Sequence, residues 1–143
     1  MKVCVCGLPD SGNRLVSRLL NAHGVETVIA HSPDAGTGTE YERAIVPVRR
    51  PRVWVQAMKQ NHEPMQHWSS VISRGGLIGW NAARLAMIGA EWEPEHILFV
   101  ELAGIVSDPD RSGEMICEHA GVEFEDWPEA LIDPDAKYLG GAS

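Results

Sequence analysis

The sequence predicts an α/β fold: a three-layer arrangement with a parallel sheet of about four strands flanked by helices. Three observations carry this reading. β-rich runs alternate with helical-period runs along the whole chain. The strand candidates are nearly continuous apolar stretches, such as ILFV at 97–100, which suit a sheet covered on both faces. The first strand candidate feeds a glycine- and proline-punctuated turn that opens directly into a helix.

The elements follow in order. Residues 2–6 (KVCVC) are short and β-rich, and Gly7 stops them. Residues 7–12 (GLPDSG) form a turn. From Asn13 to His23 the apolar residues Leu15, Val16, Leu19 and Leu20 repeat at helical period, and Gly24 suits the position after a helix end. Residues 25–30 (VETVIA) predict a second strand. Residues 31–42 are polar, carry GTGT at 36–39 and read as a mobile loop. A third strand is expected over 44–48 (AIVPV), with Pro47 a mild objection to a central position.

Pro51 suits the first position of a second helix, running to about Gln60 with Trp54, Ala57 and Met58 on one face. Residues 61–76 have no clear pattern. A longer helix is expected from Leu77 to Glu91, with Leu77, Asn81, Leu85 and Ile88 on one stripe. Residues 97–101 predict a fourth strand. Asp108 and Pro109 read as N-cap and first position of a last helix, ending at Gly121 and turning Met115, Ile116, His119 and Ala120 inward. The tail after Trp127 reads as short turns and a loose C-terminus.

Composition narrows the function classes. The 143 residues carry 12 Lys and Arg against 20 Asp and Glu, a formal net charge of −8, which argues against general nucleic-acid binding. With 44% hydrophobic residues the chain has apolar material for a packed core, and one domain over 1–143 is expected. No stretch approaches the roughly 18 apolar residues of a membrane span. The apolar run after Met1 and Lys2 is shorter than a signal-peptide core, so a cytoplasmic protein is expected. The three cysteines form no disulfide framework. Cys4 and Cys6, two apart in a strand, share a face and read as small buried hydrophobes, and no metal is expected.

In folds of this kind ligands bind where strand C-termini meet helix N-termini. Gly7 and Gly12 have the G-x-x-x-x-G spacing of a phosphate loop, whose backbone N–H groups converge at the positive end of a helix dipole. Asn13 and Arg14 stand where Lys and Ser or Thr usually follow, which removes the common Mg²⁺-binding hydroxyl and counts against an ATPase or GTPase. Arg14 also faces the helix dipole unfavourably. A bound anion relieves that conflict, and so does a local Asp10–Arg14 pair. Arg49, Arg50 and Arg52 cluster around the next helix start with the same conflict. Either a phosphate or sulfate sits there, or the turn pairs with Asp or Glu, the 31–42 loop being one source.

These residues look like a family. Residues 7–20 (GLPDSGNRLVSRLL) resemble the 5′-phosphosulfate loop of sulfotransferases. Residues 48–57 (VRRPRVWVQA) resemble their 3′-phosphate motif, and residues 101–109 (ELAGIVSDP) with 116–121 (ICEHAG) resemble the later segment of the same family. The matches fall in family order. They imply a short, divergent P-loop sulfotransferase with 3′-phosphoadenosine 5′-phosphosulfate as donor, a hydroxyl or amine as acceptor and no metal. By the resemblance, Gly7, Pro9, Asp10, Ser11, Gly12, Asn13, Arg14, Arg49 and Arg52 bind the donor. Asp10 replaces a basic residue of the family pattern, Arg14 a hydroxyl residue, and Ala57 a distal Ser. Residues 137–141 (KYLGG) are at best a distant echo of the family's glycine-rich C-terminal motif.

Sulfuryl transfer needs a base for the acceptor and positive charge near the donor oxygens. His31, after the second strand, is the candidate base, with Asp10 and Arg14 as further catalytic candidates. A loop histidine without a role is the alternative. His23 reads as a cation at a helix C-terminus. His62 and His67 fall in an unassigned segment. Trp54 and Trp80 read as core, and Trp68, Trp92 and Trp127 as partly exposed. Two other functions compete: a nucleotide kinase-like phosphotransferase, and a degenerate P-loop module that binds a nucleotide or a partner protein without catalysis.

Overall fold

A computed structural model describes residues 2–8, 11–30, 41–62 and 76–135, with backbone alone for 59–62 and 76–80. Pro9, Asp10, His31, the GTGT run, His67, Trp68 and residues 137–141 lie outside the described residues, as do the side chains of His62, Leu77 and Trp80.

The elements run β1 (Lys2–Val5), α1 (Asn13–Ala22), β2 (Glu26–Ile29), β3 (Arg43–Val48), α2 (Pro51–His62), α3 (Gly76–Ala90), a 3₁₀ turn (Pro94–His96), β4 (Ile97–Glu101), α4 (Leu102–Ser107) and α5 (Pro109–His119). The four strands form one parallel sheet in the order β2-β1-β3-β4. This is the expected α/β fold. The sequence pattern does not anticipate α4, because its six residues are too few to show a helical period.

Strand alternation divides the core into two halves. Val3, Val5 and Ile45 face one side and pack with Val16, Leu19 and Leu20 of α1, Ile105 of α4 and Ile116 of α5. Cys4, Cys6, Ala44 and Val46 face the other and pack with Trp54 and Met58 of α2 and Ile88 of α3. Cys4 and Cys6 therefore share a buried face, as their spacing predicts. The Cys6 thiol is hydrogen-bonded to Cys4, and that bond, with burial, holds Cys6 well above the ordinary thiol range. Burial pushes Cys117 up to about 11. Cys6 and Cys117 are therefore poor thiolates, whereas the hydrogen bond with Cys6 lowers the pKa of the Cys4 thiol; all three are buried core residues. Among the described residues no three His, Cys, Asp or Glu side chains group as metal ligands.

Pro47 does sit in a central strand. Its place is tolerated because β1 pairs with β3 only as far as Val5 opposite Ile45, while Pro47 continues opposite Val100 of β4. The missing N–H falls beyond the last β1 partner pair.

Two side-chain expectations are corrected. Met115 is 40% exposed, and Cys117 takes the inward position. The buried stripe of α5 is Ser112, Gly113, Ile116 and Cys117, so Met115 falls on its flank. Trp127 is buried, with its Nε1–H donating to Pro109 O at 2.7 Å. Short turns follow Trp127 as expected, and Asp135, the last described residue, is 1% exposed. The predicted α5 cap does form: Arg111 N–H donates to Asp108 Oδ1 at 3.3 Å.

His119 links α5 to the sheet. Its Nε2 lies 3.1 Å from Ala44 O and 3.2 Å from His96 O, so it donates to both. Burial lowers its pKa from 6.5, against the two carbonyls, with Arg43 and His96 adding to the lowering. The folded state thus disfavours the imidazolium. The contribution of His119 to stability is complete above its unfolded value and is lost as pH falls through the folded one. We expect the thermal midpoint to fall less between pH 7.5 and 5 in His119→Gln than in the wild type. An unchanged pH slope in paired melts counts against this account.

Candidate functional site

One cleft collects the C-terminal ends of all four strands. Gly12, Asn13 and Arg14 reach it from the loop after β1, Ile29 from β2, Arg49 from the turn after β3, and Leu102 from the junction after β4. The tail, through Glu129, Ala130, Leu131, Ile132 and Pro134, forms the remaining wall. The cleft encloses about 680 Å³, within the ordinary range for small-molecule sites.

The loop after β1 is shaped by Gly7 and Asn13. Any Cβ at Gly7 would lie 2.5 Å from Pro47 O and 2.7 Å from Asn13 Oδ1, so no larger residue fits. Asn13 is 6% exposed and closes the loop with two bonds. Gly7 N–H donates to Asn13 Oδ1 at 2.9 Å, and Asn13 Nδ2 donates to Gly7 O at 2.8 Å. Asn13 thus braces the loop from within. Gly12 takes a left-handed φ of 102° and supplies no side-chain cap, and the first turn of α1 carries no acid. Among the described residues, the positive end of α1 therefore enters the cleft wall without a carboxylate cap. Arg14 is exposed on that wall, while Ser11 is buried and does not line it.

The arginine cluster splits into different roles. Arg49 is 6% exposed. Its Nε donates to Asp135 Oδ1 at 2.7 Å and its Nη2 to Pro134 O at 2.9 Å. Arg50 Nη2 donates to the other oxygen of Asp135 at 3.2 Å. A carboxylate that pairs with this turn comes from the tail, 86 residues along the chain from Arg49, and residues 31–40 lie outside the described residues. Arg52 is exposed in the first turn of α2 and is not part of the cleft wall. Ala57, where the resemblance expects a Ser, is fully buried.

The tail is held along its length. His23 Nδ1 lies 2.8 Å from Leu19 O, and Glu125 N–H donates to His23 Nε2 at 3.0 Å. A backbone N–H can only donate, so Nε2 is an acceptor and Nδ1 carries the proton. His23 therefore clamps the tail to the C-terminal end of α1. Its ring stacks on Phe124, which in turn covers Gly113 so closely that a Cβ there would overlap it. Further on, Arg18 Nε meets Glu129 Oε1 at 3.1 Å, an exposed pair of small energetic weight.

Sequence reasoning brings Gly12, Asn13, Arg14 and Arg49 to one place. It misses Leu102, Glu129 and Asp135. The Asp-Pro-Asp run at 133–135 signals a turn, and nothing local in it points to Arg49.

The sequence matches no protein-family model and no curated protein. Among solved structures the fold is similar to that of a sulfotransferase from Alicyclobacillus acidocaldarius, with a TM-score of 0.58 and 11% identity over 98% of this chain and 90% of that one. The protein thus has a sulfotransferase-like α/β fold. No helix among the described residues is long and apolar enough to cross a membrane.

The buried ion pair makes a stability prediction. Arg49→Ala leaves the Asp135 carboxylate buried with only Arg50 beside it. Breaking such a pair costs about 3–5 kcal/mol. Urea unfolding should show a loss on that scale, and a loss below about 1 kcal/mol, the level of an exposed pair, is incompatible with the pair as described.

Proposed function

We propose that the cleft binds 3′-phosphoadenosine 5′-phosphosulfate and that the protein transfers its sulfuryl group to a hydroxyl or amine acceptor. The observation that carries this reading is the convergence of all four strand ends on one cleft whose wall holds Gly12, Arg14 and the start of α1. The sulfotransferase-like fold supports it.

In this reading the first turn of α1 and Arg14 hold the 5′-phosphosulfate. Their positive charge stabilises the bridging oxygen as the S–O bond to the leaving phosphate breaks. The acceptor oxygen forms the new S–O bond and gives its proton to His31, with Asp10 as a further acid–base group. Positioning and electrostatics supply most of the acceleration, as in phosphoryl transfer. A kinase-like reading fits less well. Asn13 occupies the usual lysine position and its amide is bonded to Gly7, and Arg14 offers no hydroxyl to a Mg²⁺ ion. A second reading, nucleotide binding without catalysis, draws on Arg49, which is already engaged by the protein's own carboxylate.

Isothermal titration with adenosine 3′,5′-bisphosphate tests the donor site, with ATP and Mg²⁺ as control. We expect saturable binding to the bisphosphate, weakened roughly tenfold in Arg14→Ala, the scale of one hydrogen bond to a charged group. Binding of ATP and Mg²⁺ alone would move the protein to the kinase class. Silence with both ligands would sink the donor-site reading.

A further inference from the structure

We infer that Asp135 is a specificity-determining residue: its carboxylate fills the anion position of the Arg49–Arg50 corner, so that a second phosphate of the nucleotide gains no affinity there. The inference rests on the donor-site reading for the ligand's class.

The cleft has two cationic regions. One is the start of α1 with Arg14, where the protein places no cap and no acid in the first helical turn. The other is the turn after β3, where Arg49 and Arg50 converge on a single carboxylate, one on each oxygen, at 2.7 and 3.2 Å. Two guanidinium groups on two oxygens is the arrangement by which arginines grip a phosphate or sulfate. Here the protein supplies that anion itself. Asp135 is 1% exposed, and its own N–H donates to Asp133 Oδ1 at 2.9 Å, so the turn around Pro134 presents the carboxylate in a fixed direction. Pro134 O takes a further Arg49 donor.

A second phosphate arriving at this corner meets a buried negative charge and donors already engaged. It binds only by displacing the carboxylate, and with it the 129–135 strap. Among the described residues, an oxyanion of the ligand meets no carboxylate at the first turn of α1. The apolar wall from Leu102, Leu131 and Ile132 suits the uncharged remainder of such a ligand. The corner would become a second phosphate site if the carboxylate lost its charge and kept its shape, which is the change Asp135→Asn makes. The Asn oxygen can still accept from Arg49 Nε.

The experiment compares adenosine 3′,5′-bisphosphate with adenosine 5′-monophosphate by titration calorimetry, in wild type and Asp135→Asn. In the wild type the two ligands should bind within about threefold of each other, since neither gains from the second corner. In Asp135→Asn the bisphosphate should tighten by about tenfold or more, while the monophosphate changes less than about twofold. The ratio of the two affinities is the readout. A residue that merely stabilises the fold would move both ligands together. If the wild type already binds the bisphosphate tenfold tighter than the monophosphate, the inference is wrong and the donor-site reading stands. The inference is equally wrong if Asp135→Asn folds and leaves the ratio unchanged. If neither nucleotide binds either protein, the donor-site reading fails and the inference with it. The wild-type comparison needs no variant, so the inference stays testable if Asp135→Asn does not fold.

Discussion

The approach of Gly7 to the backbone of Pro47 governs the geometry of the whole C-terminal edge of the sheet. At that point β1 has ended and the chain must turn into α1 within a space that excludes a Cβ. The turn is possible because glycine removes the steric conflict and because Asn13 satisfies both backbone groups of Gly7 from inside the loop. With the loop braced this way, Gly12 and Arg14 reach the cleft and the positive end of α1 is turned toward it. Pro47 takes part from the other side. It lies beyond the last β1 partner pair, and its carbonyl oxygen makes the closest approach to Gly7.

A second constraint acts from the far end of the chain. The tail crosses the mouth of the cleft and is held by contacts of unequal strength. Phe124 over Gly113 and the partly buried Trp127 hydrogen bond anchor the path, joined by the exposed His23 clamp. The Arg18–Glu129 pair is exposed and weak. The Arg49–Asp135 pair is buried and depends on its geometry, because either partner alone would be left as an uncompensated charge. The result is a wall that belongs to the fold as much as to the site. Ligand chemistry at the cleft and the docking of the tail are therefore coupled through one carboxylate.

The elements of the fold were largely legible because their causes are local. The two-residue alternation of KVCVC places Val3 and Val5 on one face of the sheet and Cys4 and Cys6 on the other, and both faces are buried as that alternation requires. Asp108 and Pro109 start α5 by the usual capping chemistry. The errors arose where a neighbour outside the local pattern intervened. Met115 yielded its inward place to Cys117 because the buried stripe of α5 is centred on Ser112, Gly113, Ile116 and Cys117. The contact of His23 with the Glu125 N–H, which arrives from a segment 102 residues away, likewise leaves no local trace.

The amino-acid sequence by itself was sufficient for the strand and helix alternation, the glycine turn, the faces of β1 and the gathering of Gly12, Arg14 and Arg49 near one sheet edge. Periodicity, capping and turn chemistry act over a few residues and leave a readable trace. The partner of Arg49, the bracing role of Asn13 and the wall formed by residues 129–134 emerged only in the folded chain. Any of the 20 acidic residues could satisfy an arginine by charge alone, and the sequence carries no period that selects one of them. Asp135 is selected by the path of the tail, which is set by Phe124, Trp127 and His23, contacts that exist only once the sheet and its helices have assembled.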